Sequence, residues 1–525
     1  MSLREYTLGA KSLFSTTGSN VRRLLQKLGD RPIYIIIILI TSYTAYFSYY
    51  TILKHYTFHS TAYDLGVYMQ SFWTTIHGYG FFYTSLWEGS LFAPHFQPIV
   101  ILILPLYAAF PKAETLLILQ SLVLALGALP VYWIAKDKLG AKAGVVFAGL
   151  YLFYPALHGI NSFDFHPVAL TIPILLFCFY MFEKKHYKRG IVLAVLAMMC
   201  KENVALVVIF IGFYWLWTER IRFTSCLDCK GLLRERDVVY PLCLSLLGLI
   251  WFLVAIYIVI PYFNPHGGFV YFGRYGIALN DLLFNIAGKA SYILILLAPL
   301  AFTSLLHPAI LIGLPIFVQN LLPSYSGMYE IINQHPSLLI PWIFIASVYG
   351  VKWLSTIRNR SIKTVSTRLL WMLLLFVIVA TWIMSPSPIA PNRNMPQLTS
   401  HTTILEQAIS VIPEDASVYA QNDVFPHICH RAHAYFTLSV LPIRIDFFQY
   451  YIFPASVEGR LYRWSHGGNY DYILADATSN HSMFKLCTDK RLERLEREYG
   501  IFVQGDGVYL YKWGYEGEPL MLGGK

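Results

Sequence analysis

The feature that most constrains the fold is an uncharged apolar run near the start of the chain, PIYIIIILITSYTAYFSYYTIL, at residues 32–53. A helix of about 20 apolar residues crosses the hydrocarbon core of a bilayer and satisfies its backbone polar groups internally. The run is too long for the apolar part of a cleaved signal peptide, and it lacks a small-residue cleavage site. We therefore expect a retained transmembrane helix at this position.

The composition extends this expectation to most of the chain. Of its 525 residues, 56% are hydrophobic and 13% are charged, whereas about 25% of the residues in an ordinary soluble protein are charged. The hydropathy pattern predicts a polytopic α-helical membrane protein with about eleven spans in a transmembrane domain at 33–385. The predicted spans are 33–53, 114–135, 143–157, 168–183, 190–200, 203–218, 238–260, 290–306, 308–322, 337–354 and 368–385.

The distribution of lysine and arginine predicts the orientation of these spans. With the N-terminus in the cytoplasm, the inner segments hold 23 basic residues, whereas the outer loops of the membrane part hold five. An excess of positive charge on the cytoplasmic side is the general rule. We therefore predict a multi-pass plasma-membrane protein with a basic cytoplasmic segment at 1–32. Its net charge of +10 is assigned to the loops and not to nucleic-acid binding.

Two regions are predicted to lie on the outer side. The first is a long outer loop at 54–113 that follows the membrane surface, with a short interfacial helix near 95–110. The second follows a Pro-rich linker at 386–399 and is a small α/β domain at 400–525. Within it we predict a helix that ends at Gly500 and a hairpin around Asp506-Gly507. No Gly-rich phosphate loop follows its strands, which favours a lid or an acceptor platform over a nucleotide site.

The seven cysteines say little about function. Cys226 and Cys229 form a single C-x-x-C in a basic inner loop, which is weak evidence for zinc. Cys429 and Cys487 both lie in the predicted outer domain, where oxidising conditions permit a disulfide. The sequence leaves their pairing open.

Eight polar residues of the outer loops are candidates for a functional site. Each lies near a span end or in a short loop. An ionised side chain at the centre of a bilayer costs about 2.5–3.5 kcal/mol on insertion scales, so such residues usually face a cavity or a partner. These residues are Asp64, His95, Asp164, His166, Lys201, Glu202, Arg274 and His335. Together they predict a polar chamber at the outer face.

Each of these residues also has a purely structural interpretation. Asp64 could cap a helix that begins near Leu65, because Asp is favoured at that position. Lys201 and Glu202 could form a turn that reaches water between two short helices. The remaining candidates could be ordinary loop residues or structural histidines. The cluster as a whole favours a site over these separate explanations.

Several stretches of the sequence resemble a known family. They include YDLGVYMQSFWTTIHGYGFFYTS, HFQPIVILILPLYAAFP, YLFYPALHGINSFDFHPVAL, CKENVALVV and VIPEDASVYAQNDVFPHICHR. They look like prokaryotic membrane proteins grouped as domain of unknown function 2079, over residues from about 40 to about 515. That family is distantly similar to the C-type glycosyltransferases, which include protein mannosyltransferases, oligosaccharyltransferase subunits and aminoarabinose transferases. The resemblance implies a fold of this C-type class.

The resemblance also implies an inverting transfer of a sugar from a polyprenyl-phosphate donor to a glycan, lipid or protein acceptor on the outer face. In the distant superfamily the acid of the first outer loop is usually half of an acidic pair, but here Leu65 follows Asp64. The catalytic candidates are Asp64, Asp164 and His166, which are also the candidate ligands if a divalent cation takes part. The substrate-binding candidates are His95, Lys201, Glu202, Arg274 and His335.

Two other functions remain open at this stage. Short and interrupted spans with polar residues are also typical of a transporter or a flippase. A non-catalytic protein of surface-glycan assembly would use the outer domain for binding alone. A chamber that opens only outward favours the transferase, whereas polar residues aligned from one face to the other favour transport.

Overall fold

The structure is a computed structural model that describes residues 32–222, 235–264, 268–269, 271, 283–358, 367–436, 470–485 and 495–523. Four residues named above lie outside these ranges, and the predictions that concern them stay predictions. They are Cys226, Cys229, Arg274 and Cys487.

Helices occupy the apolar stretches that the hydropathy pattern identifies. Their bounds are Pro32–Tyr56, Ala113–Leu126, Ala128–Leu139, Ala141–Leu152, Pro155–Phe163, Thr171–Glu183, Tyr187–Met198, Val204–Arg222, Arg236–Val254, Ile260–Phe263, Ile286–Leu297, Leu314–Leu321, Ile340–Arg358 and Thr367–Met384. Among the described residues, four helices are long and apolar enough to cross a membrane, or five if a bent pair counts as one span. Six further apolar helices are shorter, so the count of eleven spans stays a prediction.

Interruptions of the backbone explain why some helices are short. Helix Ile286–Leu297 ends in a 3-10 turn, and Ala301 and Phe302 then adopt φ values of 49° and 55°. Residues other than glycine rarely adopt this left-handed conformation, which cannot continue a right-handed helix. The predicted span 290–306 is therefore broken near its middle.

The predicted first outer loop is compact and contains several elements of its own. They are a π-helical turn at Ala62–Gly66, a helix at Val67–Ile76, strands β1 (Tyr83–Thr84) and β2 (Gly89–Ser90), and a helix at Ile99–Ala109. On the last helix the side chains of Ile101 and Leu102 are 45% and 56% exposed. Exposed apolar side chains at this place suit the predicted helix at a membrane surface.

Residues 400–523 contain a six-stranded mixed sheet. Its strands are β3 (Val418–Ala420), β4 (Ala434–Phe436), β5 (Tyr472–Asp476), β6 (Tyr499–Gly505), β7 (Val508–Trp513) and β8 (Leu520–Met521). Their order in the sheet is β4-β3-β5-β7-β6-β8. β3 runs parallel to both of its neighbours, and β7 runs antiparallel to both of its own. Helices Ser400–Ser410 and Phe425–Ile428 lie in the same region.

One local prediction in this region is confirmed and one needs a small correction. Asp506 and Gly507, with φ values of 43° and 78°, join β6 to β7 as the expected hairpin turn. The described part of the predicted helix, residues 495–498, is helical but ends two residues before Gly500, which already lies inside β6 and pairs with Lys512. A Cβ atom at this position would lie 1.8 Å from the carbonyl oxygen of Tyr515, so the glycine permits a close approach of two backbones.

The first outer loop and the sheet region share one hydrophobic core. Leu65 and Phe72 of the loop belong to the same buried cluster as Val418 and Leu474 of the sheet. A second and larger cluster lies among the first helix and the helices that follow the loop. Packing therefore fixes the sheet region against the segment that carries Asp64.

Candidate active site

A cavity of about 550 Å³ lies where the first outer loop meets the 163–168 and 201–203 turns and the 325–338 segment. Six of the eight candidate residues line it. They are Asp64, His95, His166, Lys201, Glu202 and His335. Asp164 does not line the cavity but contacts Thr61, which does. Arg274 lies outside the described residues. The structure thus brings these side chains together, while their chemical roles stay predictions.

Asp64 lies inside the π-helical turn Ala62–Gly66. Such turns are rare and are frequently found at functional sites. Thr61 and Gly66 occupy the N-cap positions of this turn and of the helix that follows. The interpretation of Asp64 as a helix cap is therefore wrong.

Asp64 and His166 form a close pair at the cavity. Nε2 of His166 lies 2.6 Å from Oδ1 of Asp64, and the two side chains are 9% and 15% exposed. Among the described residues, no partner reaches the other ring nitrogen, Nδ1, which is buried. The arrangement favours the tautomer with its proton on Nε2, because that proton is donated to Asp64 and Nδ1 then carries only a lone pair.

Asp164 faces away from the cavity and binds a lysine that the sequence assigns to no site. Nζ of Lys54 donates to Oδ1 of Asp164 at 2.9 Å and to the carbonyl oxygens of Ser162 and Phe163. The backbone N–H of Thr61 donates to Oδ2 of Asp164 at 2.9 Å. Burial raises the pKa of Asp164, and the ammonium of Lys54 limits this rise.

Thr61 connects the two aspartates. Its hydroxyl oxygen lies 3.0 Å from Oδ2 of Asp64 and 3.1 Å from Oδ2 of Asp164. A hydroxyl carries one proton, so Thr61 donates to one of the two carboxylates at a time. A change at either aspartate is therefore transmitted to the other.

Gln120 holds the backbone of the turn that carries Asp164 and His166. Its Nε2 donates to the carbonyl oxygen of Asp164 at 2.7 Å, and its Oε1 accepts from the backbone N–H of His166 at 2.8 Å. The Gln120 side chain is fully buried. A polar residue inside a predicted span is a signal that the sequence analysis did not use.

His95 and Glu202 form a second pair at the cavity. Nδ1 of His95 lies 2.9 Å from Oε1 of Glu202, and the backbone N–H of Phe96 donates to Oε2 at 3.1 Å. Burial disfavours the carboxylate, but His95 and then Lys201 hold the pKa of Glu202 below its ordinary value. Glu202 is therefore an anion whose two carboxylate oxygens are both hydrogen-bonded by the surrounding protein.

The sheet region adds two residues to the cavity wall that the sequence analysis missed, Asn422 and His481. The backbone N–H of Ala62 donates to both the carbonyl oxygen and Oδ1 of Asn422, at 2.9 Å and 3.0 Å. Asn422 thus holds the start of the turn that carries Asp64. No local pattern relates these positions, because they are separated by 360 residues along the chain.

The candidate metal ligands do not converge on one point. His166 is at hydrogen-bond distance from Asp64, whereas the carboxylate of Asp164 is bound by Lys54. In the described part of the chain, no group of three or more His, Cys, Asp or Glu side chains is arranged to hold a metal ion. A role for a divalent cation stays a prediction.

The sequence and the fold were compared with known proteins. Residues 54–510 match the family described as "Predicted membrane protein (DUF2079)". The chain belongs to this family. A comparison with curated proteins finds no match.

The fold is similar to that of solved C-type glycosyltransferases. ArnT from Cupriavidus metallidurans bound to undecaprenyl phosphate aligns with a TM-score of 0.52 at 11% identity, covering 90% of this chain and 97% of ArnT. The Archaeoglobus fulgidus oligosaccharyltransferase tethered with an acceptor peptide aligns with a TM-score of 0.38 at 13% identity, covering 92% and 74% of the two chains. The fold assignment rests on the first of these. It shows that the DUF2079 chain has a fold similar to that of ArnT.

Proposed function

We propose that this protein is an inverting membrane glycosyltransferase that moves a sugar from a polyprenyl-phosphate donor to an acceptor on the outer face of the membrane. The observation that carries the proposal is the Asp64–His166 pair, 2.6 Å apart, on the wall of the cavity. A partly buried carboxylate oriented by an imidazole is suited to general-base chemistry. The fold supports the proposal, because ArnT with the same architecture was solved with undecaprenyl phosphate bound.

In the proposed reaction Asp64 accepts the proton of an acceptor hydroxyl. The hydroxyl oxygen forms a bond to the anomeric carbon of the sugar, while the bond from that carbon to the phosphate oxygen breaks. The phosphate leaves with the bonding electron pair. His166 donates to Oδ1 of Asp64, and a carboxylate has enough lone pairs to accept a further proton donor at the same time.

The leaving phosphate requires a cation, and Lys201 is the lysine on the cavity wall. Arg274 is the second candidate from the sequence and stays a prediction.

Ion pairs at the opposite ends of the same helices argue against a transporter. The 27-residue helix Ala113–Leu139 carries Gln120 beneath the cavity and Lys138 about 27 Å further along its axis, at 1.5 Å per residue. At that end Lys138 pairs with Glu183, Lys184 with Asp137 at 2.8 Å, and Lys185 with Asp237. These pairs tie neighbouring helices together where a transport path would have to open.

The test compares lipid-linked sugars and surface glycans, by mass spectrometry, in cells with and without this chain. Loss of the chain should cause one polyprenyl-phosphate sugar to accumulate and one glycan modification to disappear. The purified protein should then transfer that sugar from the lipid to the unmodified glycan. Unchanged lipid and glycan profiles would reject the transferase, and accumulation of the sugar lipid on the inner leaflet alone would favour a flippase.

A further inference from the structure

A second part of the cavity wall consists of carboxamide side chains. We call it the carboxamide wall, and it is made of Asn203, Gln319, Asn320, Asn333 and Gln334. These residues come from the turn after helix Tyr187–Met198, from helix Leu314–Leu321 and from the 325–338 segment. Two hydrogen bonds connect these elements. Nδ2 of Asn203 donates to Oε1 of Gln319 at 3.0 Å, and Nδ2 of Asn320 donates to the carbonyl oxygen of His335 at 3.1 Å.

The carboxamide wall is held in position by the protein. Asn320 is 2% exposed, and its Nδ2 also donates to the hydroxyl of Tyr292 at 3.1 Å. Nδ2 of Asn333 donates to the carbonyl oxygen of Gly327 at 2.9 Å. The wall is therefore organised before any ligand binds, which reduces the entropy lost on binding.

Two oxygen atoms of the wall are buried without a donor. Among the described residues, no hydrogen-bond partner reaches Oδ1 of Asn203 or Oε1 of Gln334. Buried polar atoms in proteins are nearly always hydrogen-bonded, and exceptions call for an explanation such as a ligand. Both atoms are acceptors, so the ligand that completes the wall has to supply donor groups.

Two carboxylates on the cavity wall are already partnered within the protein. Asp64 and Glu202 each have an imidazole, at 2.6 Å and 2.9 Å. The third carboxyl group on the wall is that of Glu330; burial raises its pKa, although Ser326 opposes the rise. A cationic sugar would find no unpartnered carboxylate among these three groups that is strongly held in its ionised form.

We propose that the carboxamide wall binds the head group of an uncharged, polyhydroxylated sugar, such as a neutral hexose, in preference to an amino sugar. A sugar hydroxyl both donates and accepts, which is the hydrogen-bonding character of a carboxamide. The inference rests on the proposed function, because it takes the ligand to be the sugar of a lipid-linked donor.

The test measures equilibrium binding to the purified full-length protein in lauryldimethylamine oxide, a detergent without a sugar head group. Three probes are compared: polyprenyl phosphate, the same lipid carrying glucose, and the same lipid carrying an amino-deoxy sugar. The glucose lipid should bind about tenfold or more tighter than the other two, which corresponds to about one good hydrogen bond. Equal binding of all three, or tighter binding of the amino sugar, would overturn the inference.

Two variants locate the effect. Gln334→Met and Asn203→Leu should each weaken binding of the glucose lipid about tenfold and leave binding of bare polyprenyl phosphate unchanged. Gln334→Met removes a buried oxygen that has no donor, so its melting temperature should equal or exceed that of the unchanged protein. Asn203→Leu also removes the hydrogen bond to Oε1 of Gln319, so its melting temperature should fall slightly. Gln407→Leu, at an exposed position of helix Ser400–Ser410, is the matched control.

The outcomes separate this inference from the proposed function. Selective binding of the glucose lipid without sugar transfer would keep the inference and reject the transferase. Transfer of a sugar with no selectivity among the three probes would keep the transferase and reject the inference. A lowered melting temperature with equal loss of binding for bare and sugar-bearing lipid would show that the wall is only structural. If both variants fail to fold, the comparison of the three probes on the unchanged protein still decides.

Discussion

Replacing Asp64 with asparagine tests the proposed base directly. The amide keeps the shape of the carboxylate but cannot accept the proton of an acceptor hydroxyl. A positioned general base contributes about 10²–10⁴-fold to the rate, so Asp64→Asn should lower turnover by this factor. In free energy the loss is about 3–5 kcal/mol of transition-state stabilisation.

The contacts of Asp64 determine how the same change affects folding. Its Oδ1 accepts from Nε2 of His166 at 2.6 Å, and its Oδ2 accepts from the hydroxyl of Thr61 at 3.0 Å. The asparagine retains one oxygen, and the strong ionic hydrogen bond becomes a neutral one. The expected destabilisation is about 1 kcal/mol, which is far smaller than the catalytic loss.

The assay is the initial rate of sugar transfer by purified protein, measured together with thermal melting. Asp415→Asn, an exposed aspartate outside the cavity, is the control and should change neither quantity. His166→Gln should lower the rate as well, and the double variant with Asp64→Asn should be little worse than either single variant if the pair acts as one unit. A folded Asp64→Asn protein with more than about one tenth of the normal rate would refute the reasoning.

Three further predictions concern the site and its orientation. Gln120→Leu removes both hydrogen bonds that hold the turn behind the cavity, so it should destabilise the protein by about 2 kcal/mol and lower transfer; unchanged melting would show that the turn needs no such support. Burial disfavours ionised Glu202, but His95 holds its pKa below the ordinary 4.5. The stability that this pair contributes is present above that pH and is lost as the pH falls through the folded-state pKa, so His95→Gln should lower the melting temperature most at about pH 7 and progressively less as the pH falls below 4.5. An impermeant thiol reagent on intact cells should label Glu414→Cys and spare Lys142→Cys, in a chain whose exposed Cys243 and whose Cys226, Cys229 and Cys487 are replaced by serine; the reverse pattern would overturn the predicted orientation.

The convergence of the candidate residues could be predicted because hydropathy locates the ends of helices. Asp64, His95, His166 and Glu202 all follow or precede apolar runs, and residues at neighbouring helix ends have little room to separate. The positive-inside rule assigned these ends to one side of the membrane, and the structure places all four side chains on one cavity. The wrong interpretation of Asp64 as a cap came from a propensity that describes α-helices and not a π-helical turn.

The positions of two further residues, Lys54 and Gln120, already suggest structural partners, but a count of charged residues per loop does not reveal this. Lys54 was counted only as one basic residue of the outer loops, yet it donates to three oxygens of the 162–164 segment. Its position at the end of the first span, with apolar residues before it, already suggests a partner. Gln120 is likewise a polar residue inside a predicted span, and its two hydrogen bonds explain why it is there.

The contacts that the sheet region makes with the first outer loop argue against the interpretation of residues 400–525 as a separate lid or platform. Phe425 is fully buried, and a Cβ atom at Gly66 would lie 2.7 Å from its ring, so the ring packs directly on the end of the π-helical turn. Asn422 accepts from the N–H of Ala62 at the other end of that turn. Asp64 therefore sits on a turn whose two ends are both held by the sheet region. If this segment moved away as a lid, the turn would lose its packing contact at one end and its hydrogen bonds at the other. Asp64 would then lose its orientation toward His166. The sheet region is better understood as part of the wall that positions Asp64. This dependence between positions 360 residues apart is what no local pattern in the sequence could express.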